Sequence, residues 1–320
     1  MNRKGLITGY VLVAAGSAMF ASKAIFVKLA YMERHDALLI LSWRMAIALP
    51  VFLGIGLLAV LKRRRDGVSL PSWRSVTGAV AVGLVGYYLA MILDFAGLLY
   101  VSAQLERLAL FTYPIFLMLI GAGFFGMRLR AASLAPAAVS YLGLACVFFT
   151  DFSTGGSNVT LGTALVLASA LSFAIYQLLA KTYITSMGST LFTSLALSGA
   201  ALATIAHVFV ARGGLDTSVT AHYLWLAAGT GLVATVVPSF FVNAGMARIG
   251  AASTAMISNV SPLLTIYFAV VLLGEEFTVT HGIGTALVVG GVGFHAWSEL
   301  RRPPPVRSRD KLIETETDIK

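Results

Sequence analysis

Residues 75–126 read SVTGAVAVGLVGYYLAMILDFAGLLYVSAQLERLALFTYPIFLMLIGAGFFG, and the only charges in the run are Asp94, Glu106 and Arg107. A helix crosses the hydrocarbon of a bilayer with about 20 apolar residues. The run is far too long for one crossing and too poor in charge for a soluble segment. It therefore reads as two membrane helices, 75–100 and 103–126, turning at Val101–Ala103. Working outward from this pair finds eight more segments of the same kind: 6–30, 38–61, 134–151, 161–182, 190–211, 222–247, 252–273 and 280–298. The expected fold is an all-α integral membrane protein of ten transmembrane helices.

Composition agrees. Hydrophobic residues make up 58% of the chain and charged residues 12%, against roughly a quarter charged in soluble domains. A formal charge of +9 would elsewhere point to nucleic acid. Here the basic residues sit between apolar runs, where they set topology and meet anionic lipid head groups, so no nucleic-acid partner is expected. The basic stretch Met1–Gly5 before an apolar run has the outline of a signal peptide, but that run continues to Tyr31, too long for one. Cys146 is the single cysteine, and no metal-ligand spacing of Cys and His is present, so neither a metal nor a cofactor is expected.

Charge bias orients the helices. With the N-terminus in the cytoplasm, the inner segments hold Arg3, Lys4, Lys62, Arg63, Arg64, Arg65, Arg74, Arg128, Arg130, Lys181, Arg248, Arg301, Arg302, Arg307, Arg309, Lys311 and Lys320, which is 17 of the 23 Lys and Arg. The outer loops hold two, Arg34 and Arg212. Both termini are thus expected in the cytoplasm. The tail 301–320 is Pro-rich, then basic, then acidic, and is expected to be disordered cytoplasmic sequence.

The chain repeats itself. A shift of 148 positions pairs Gly97 with Gly245, Ala103 with Ala251, Pro114 with Pro262, Gly126 with Gly274 and Gly143 with Gly291; a shift of 153 pairs Gly9 with Gly162, Phe20 with Phe173 and Lys28 with Lys181. The two repeats are residues 1–151 and 152–300. Five crossings each, an odd number, invert the second relative to the first. Inverted repeats place a substrate site near the midplane where the halves meet, and expose it to either side by rocking.

Candidate functional residues follow from polarity within the spans. Lys23, Arg44, Asp94, Glu106 and Arg107 are charges in hydrocarbon, which is costly unless they pair or serve function. Counted inward from the outer loops, Lys23, Arg44 and Asp94 lie roughly 10 Å deep. They read either as pairs tying the first four helices together, or as an outer gate whose charges bind substrate or exchange a proton during transport. Pro114 and Pro262 break the fourth and ninth helices at equivalent places and point those helices toward a cavity. Thr254, Ser258, Ser261 and Thr265 form one hydroxyl stripe, with Asn259 beside it; their repeat equivalents are Glu106, Leu110, Tyr113 and Leu117. Tyr87, Tyr176, Gln177 and Asn243 complete the midplane candidates for substrate binding. Ala79, Gly83, Gly86, Ala90 and Gly97 make a small-residue face, read as helix packing.

The run Leu105–Pro114 (LERLALFTYP) and the run Ser258–Pro262 (SNVSP), each followed by an apolar stretch ending in Gly126 or Gly274, resemble the EamA-type branch of the drug/metabolite transporter superfamily. The resemblance covers about residues 6–298. It implies ten helices in two inverted repeats, a central cavity, cytoplasmic termini in a cell (inner) membrane, and export of amino acids or related metabolites. The family's Gly-Glu pair stands here as Gly274-Glu275, whereas the first half reads Gly126-Met127-Arg128. A membrane-embedded enzyme or a receptor is the competing class. The five histidines are scattered near span ends, and no phosphate-binding loop or Ser–His–Asp arrangement stands out. Not an enzyme, then, but a secondary transporter is the expectation.

Overall fold

The computed structural model describes residues 3–126, 131–155, 158–258 and 260–300. These form α1 (Arg3–Ala21), α2 (Lys23–Glu33), α3 (Ala37–Arg65), α4 (Trp73–Gly83), α5 (Ala90–Leu98), α6 (Ala103–Leu110), α7 (Tyr113–Phe124), α8 (Ala131–Gly155), α9 (Asn158–Met187), α10 (Ser189–Arg212), α11 (Ala221–Ala228), α12 (Val237–Ser258), α13 (Ser261–Leu273) and α14 (Val279–Leu300). Two π-helical segments, Leu84–Leu89 and Gly229–Val236, join α4 to α5 and α11 to α12. There is no strand among the described residues. Among the described residues eight helices are long and apolar enough to cross a membrane, and two shorter apolar ones cover Ser261–Leu273 and Val279–Phe294.

The helices pair antiparallel, and small residues make the pairing possible. In lipid there is little hydrophobic gain from joining apolar helices, so close backbone approach carries association. A β-carbon on Gly143 would fall 2.6 Å from the Gly284 carbonyl, which joins α8 to α14. On Gly83 it would fall 2.5 Å from the Ala196 backbone, which joins α4 to α10. The glycines matched by the sequence shifts meet in crossed pairs: Gly9 lies against Gly245, and Gly97 against Gly162. Helix α3 runs against α10 along its length, from Gly56 beside Ser194 to Arg63, which donates to the Met187 carbonyl. The small-residue face of 79–97 is thus a packing face, as its composition implies.

Two expected boundaries need correction. First, Lys62–Arg65 are not a loop; they are the last turn of α3, where cations complement the helix dipole. Second, no loop separates 247 from 252, because α12 is helical to Ser258. The contacts of α1 nevertheless demand a reversal there. Gly16 lies against Pro238 and Val242 and Gly9 against Gly245 and Ile249, an antiparallel run, whereas Ser17 meets Ser258 and Ser261 and Ala21 meets Thr265, a parallel one. The chain turns back within the few residues after Ile249. Pro114 and Pro262 do break their helices, as expected. Each sits in the first turn of a new helix, α7 and α13, where a missing N–H costs nothing. The tail 301–320 and Asn259 lie outside the described residues.

One end of the bundle is tied across its two halves. The segments around Asp36 and around Asp216 clasp through the ion pairs Arg212–Asp36 and Arg34–Asp216, the latter at 3.6 Å, and through a His222–Glu33 hydrogen bond. Beneath them Ile40, Met45, Phe95, Leu98 and Tyr223 form a buried core, and Tyr31 Oη donates to the Phe95 carbonyl at 2.6 Å.

Candidate functional site

A cavity of about 360 Å³ lies below that core, on the side away from Asp36. Its lining comes from both halves of the chain. Gly86, Tyr87, Met91, Asp94, Leu110 and Tyr113 line it, and so do the residues 148 positions later, Ala234, Thr235, Ser239, Val242, Ser258 and Ser261. Phe20 and Phe173, matched by the shift of 153, face it together.

Both π segments contribute to this wall, through Gly86–Tyr87 and Ala234–Thr235. A π turn widens the helix and leaves its carbonyls irregularly used, which is why such turns gather at functional sites. Thr235 Oγ1 donates to the Thr230 carbonyl at 2.8 Å, five residues back, and receives Arg44 Nη2 at 2.7 Å.

Among the substrate candidates, Tyr87, Tyr113, Gln177, Ser258 and Ser261 line the cavity. Tyr176 stands one layer behind and donates to Tyr87 Oη at 3.1 Å, with ring centroids 4.9 Å apart. Asn243 and Thr254 lie on α12, but their side chains are outside the described set, as is Asn259 altogether. Ser258 Oγ meets Ser17 Oγ at 3.1 Å, and Ser261 Oγ reaches the Ser17 carbonyl at 3.1 Å. Thr265 turns away from the cavity and donates to the Ala21 carbonyl at 3.0 Å. The hydroxyl stripe is therefore shared between the cavity and the seam of α13 with α1.

The charges separate into two groups. Lys23 Nζ pairs with Asp94 and, at 2.8 Å, with Glu106 Oε1, tying α2 to α5 and α6. Arg44 and Arg107 do not join them. Among the described residues neither guanidinium has an ion pair; Arg107 donates to Ser261 Oγ, and Arg44 lies over the Phe95 ring, 5.0 Å from its centre. Lys23, Arg44, Asp94 and Arg107 line the cavity, while Glu106 is fully buried behind Lys23. Unpaired charge in such surroundings costs several kcal/mol even on lenient scales, so Lys23 satisfies both carboxylates on energetic grounds alone.

Residues that the sequence reading passed over include Thr235, Ser239, Phe20, Phe173 and Ser169, which donates to the Ala90 carbonyl at 2.7 Å. A signal for some of them existed: Thr235 and Ser239 stand 148 positions after Tyr87 and Met91. Glu275 has a definite task. Its carboxylate accepts from the N–H groups of Ala103 at 2.7 Å and Gln104 at 3.3 Å, capping α6 from the other half, while Gly274 at φ +69° ends α13. At the tied end Asp36 caps α3; burial opposes its ionisation, but Arg212 and the N–H groups of Leu39 and Leu38 hold it below the usual carboxylate pKa.

Comparison with known proteins gives the same outline. The EamA-like transporter family matches residues 7–149 and again 160–296. The uncharacterized transporter YcbK of Bacillus subtilis (strain 168) is 30% identical over 296 residues, covering 89% of this chain and 90% of that protein. The uncharacterized transporter YdfC of the same organism is 26% identical over 74% of this chain and 76% of its own length. A crystal structure that is 18% identical superposes with a TM-score of 0.59 over 94% of this chain, a likeness of fold. With the family matched in both halves and the cavity set between them, the chain belongs to the EamA-like transporter family and is a multi-pass membrane transporter.

Proposed function

We propose that the chain is a secondary transporter that moves a small polar or amphipathic metabolite outward through a cell (inner) membrane by alternating access to the central cavity. The observation that carries this reading is the lining itself: six positions of the first half recur, 148 residues on, in the second. Such a site belongs at the axis relating two inverted repeats, residues 1–151 and 152–300. The crossed glycine pairs support the same symmetry, and the reversal after Ile249 supports ten crossings in place of eight. The 17-to-2 distribution of basic residues supports cytoplasmic termini. In that orientation the Asp36 end faces outside and is closed.

The outer gate then has two layers. The rim consists of Arg212–Asp36, His222–Glu33 and Arg34–Asp216, each joining a residue before 151 to one after it. The cavity-side layer is Lys23 with Asp94 and Glu106, the groups through which a proton would be coupled. Tyr87, Tyr113, Gln177, Ser258 and Ser261 meet the substrate, Tyr176 positions Tyr87, and Asn243, Thr254 and Asn259 remain candidates on the second half. The test is counterflow in proteoliposomes with a panel of labelled metabolites of every charge type. Accumulation of at least one solute above protein-free vesicles is expected. Uptake equal to protein-free vesicles for the whole panel overturns the transporter mechanism.

A further inference from the structure

We infer that the cavity selects an organic monoanion, a carboxylate on an apolar body, and that Arg44 and Arg107 hold its head group. The inference rests on the transporter reading and narrows its substrate class. Three cations, Lys23, Arg44 and Arg107, face two carboxylates, Asp94 and Glu106, in one buried cluster. Lys23 is committed to both carboxylates. An arginine does not deprotonate in a protein. The cluster therefore carries a surplus of at least one positive charge, and it resides on the two guanidiniums.

Their surroundings do not relieve it. Arg44 has one hydroxyl partner, Thr235, and its Nε and Nη1 have none; Arg107 has Ser261, and its Nε has none. Among the described residues neither forms an ion pair. A ligand with one negative charge cancels the surplus. A zwitterion brings no net charge and leaves it standing, and a cation enlarges it. The planar guanidinium fork matches the two oxygens of a carboxylate, which a lysine would not do. Beside the polar Tyr87, Tyr113, Gln177 and Ser258, the wall has a large apolar part, with Phe20, Met91, Leu110, Phe111, Phe173 and Val242 around about 360 Å³. That surface receives an aryl or short alkyl body rather than a sugar or a peptide.

Four probes sharing one body test this on the purified full chain: labelled 3-phenylpropanoate, phenylalanine, phenethylamine and 3-phenylpropanamide, in equilibrium binding. The propanoate should bind about tenfold or more tighter than each of the others, the usual effect of one charge-assisted contact. Arg44→Gln and Arg107→Gln should each bring the propanoate-to-amide affinity ratio toward one, and Arg→Lys at either position should restore part of it. Equal or tighter binding of phenylalanine or the amine overturns the proposal. So does an unchanged ratio in both Gln variants, or no binding across aryl and straight-chain monocarboxylates. If counterflow shows a cation, zwitterion or neutral solute carried while carboxylates are not, the anion inference falls and the transporter mechanism stands. If nothing is carried, the mechanism itself has failed.

Discussion

The effect of replacing Glu106 should change sign with the residue at position 23. Lys23 is the one described cation paired with Asp94 and Glu106, and Glu106 is fully buried. At 2.8 Å and an effective dielectric constant of about 20, the attraction between Lys23 and Glu106 is about 6 kcal/mol before desolvation is subtracted. Lys23→Met leaves both carboxylates without their partner and should cost about 3–5 kcal/mol. Glu106→Gln alone leaves Lys23 on Asp94 and should cost about 1.5–3 kcal/mol, the value of one charge-assisted hydrogen bond. In the Lys23→Met background, however, Glu106→Gln removes an orphaned buried charge and should stabilise. Thermal melting of the four proteins in detergent, with the folded fraction from size exclusion, reads the cycle. If Glu106→Gln destabilises both backgrounds by the same amount, the two residues are not coupled and the reasoning fails.

Three further outcomes are expected. Gly143→Leu should separate α8 from α14, since even a β-carbon would fall 2.6 Å from the Gly284 carbonyl; a loss of about 1–3 kcal/mol or more in the same melt is expected. Asp36→Asn should destabilise at neutral pH and not in strong acid, because a carboxylate held below its usual pKa gives stability above the unfolded value and loses it as pH falls through the folded one. Melting curves of both proteins between pH 7 and about pH 2 should converge at the acid end. Thr235→Val removes the hydroxyl that receives Arg44 Nη2 and should weaken 3-phenylpropanoate binding by about tenfold or more, since one hydrogen bond to a charged group is lost.

Much of the architecture was legible in the sequence because hydrocarbon imposes a simple demand: every backbone polar group must be satisfied within the crossing segment. Runs such as 190–211 therefore declare themselves, and α10 covers Ser189–Arg212. The shifts matched Gly9 with Gly162 and Gly97 with Gly245, but the contacts run crosswise, Gly9 with Gly245 and Gly97 with Gly162, which the shifts alone did not give. The turn after Ile249 was harder, since its residues are as helix-compatible as their neighbours. The π segments were invisible: hydrogen bonding five residues back has no compositional signature, and Thr235 looks like any hydroxyl bonding to its own helix. The prolines were recognised as breaks, but whether a helix bends or restarts depends on the turns Phe111–Thr112 and Val260 rather than on proline itself. The partition of charge was equally hidden. That Lys23 takes both carboxylates and leaves Arg44 over Phe95 depends on side-chain reach between helices far apart in sequence.

The central claim is that the cavity opens to one side while the Asp36 end holds it shut to the other. Ser239 lines the cavity and is half-buried, so Ser239→Cys in a Cys146→Ala background reports its exposure to a membrane-impermeant thiol reagent. Labelling from the cytoplasmic face and not from outside is expected in the native protein. Outside labelling should appear once Glu33→Gln, Asp36→Asn and Asp216→Asn break the three rim pairs. Equal labelling from both faces in the native protein, or protection from both faces in every variant, would contradict the account.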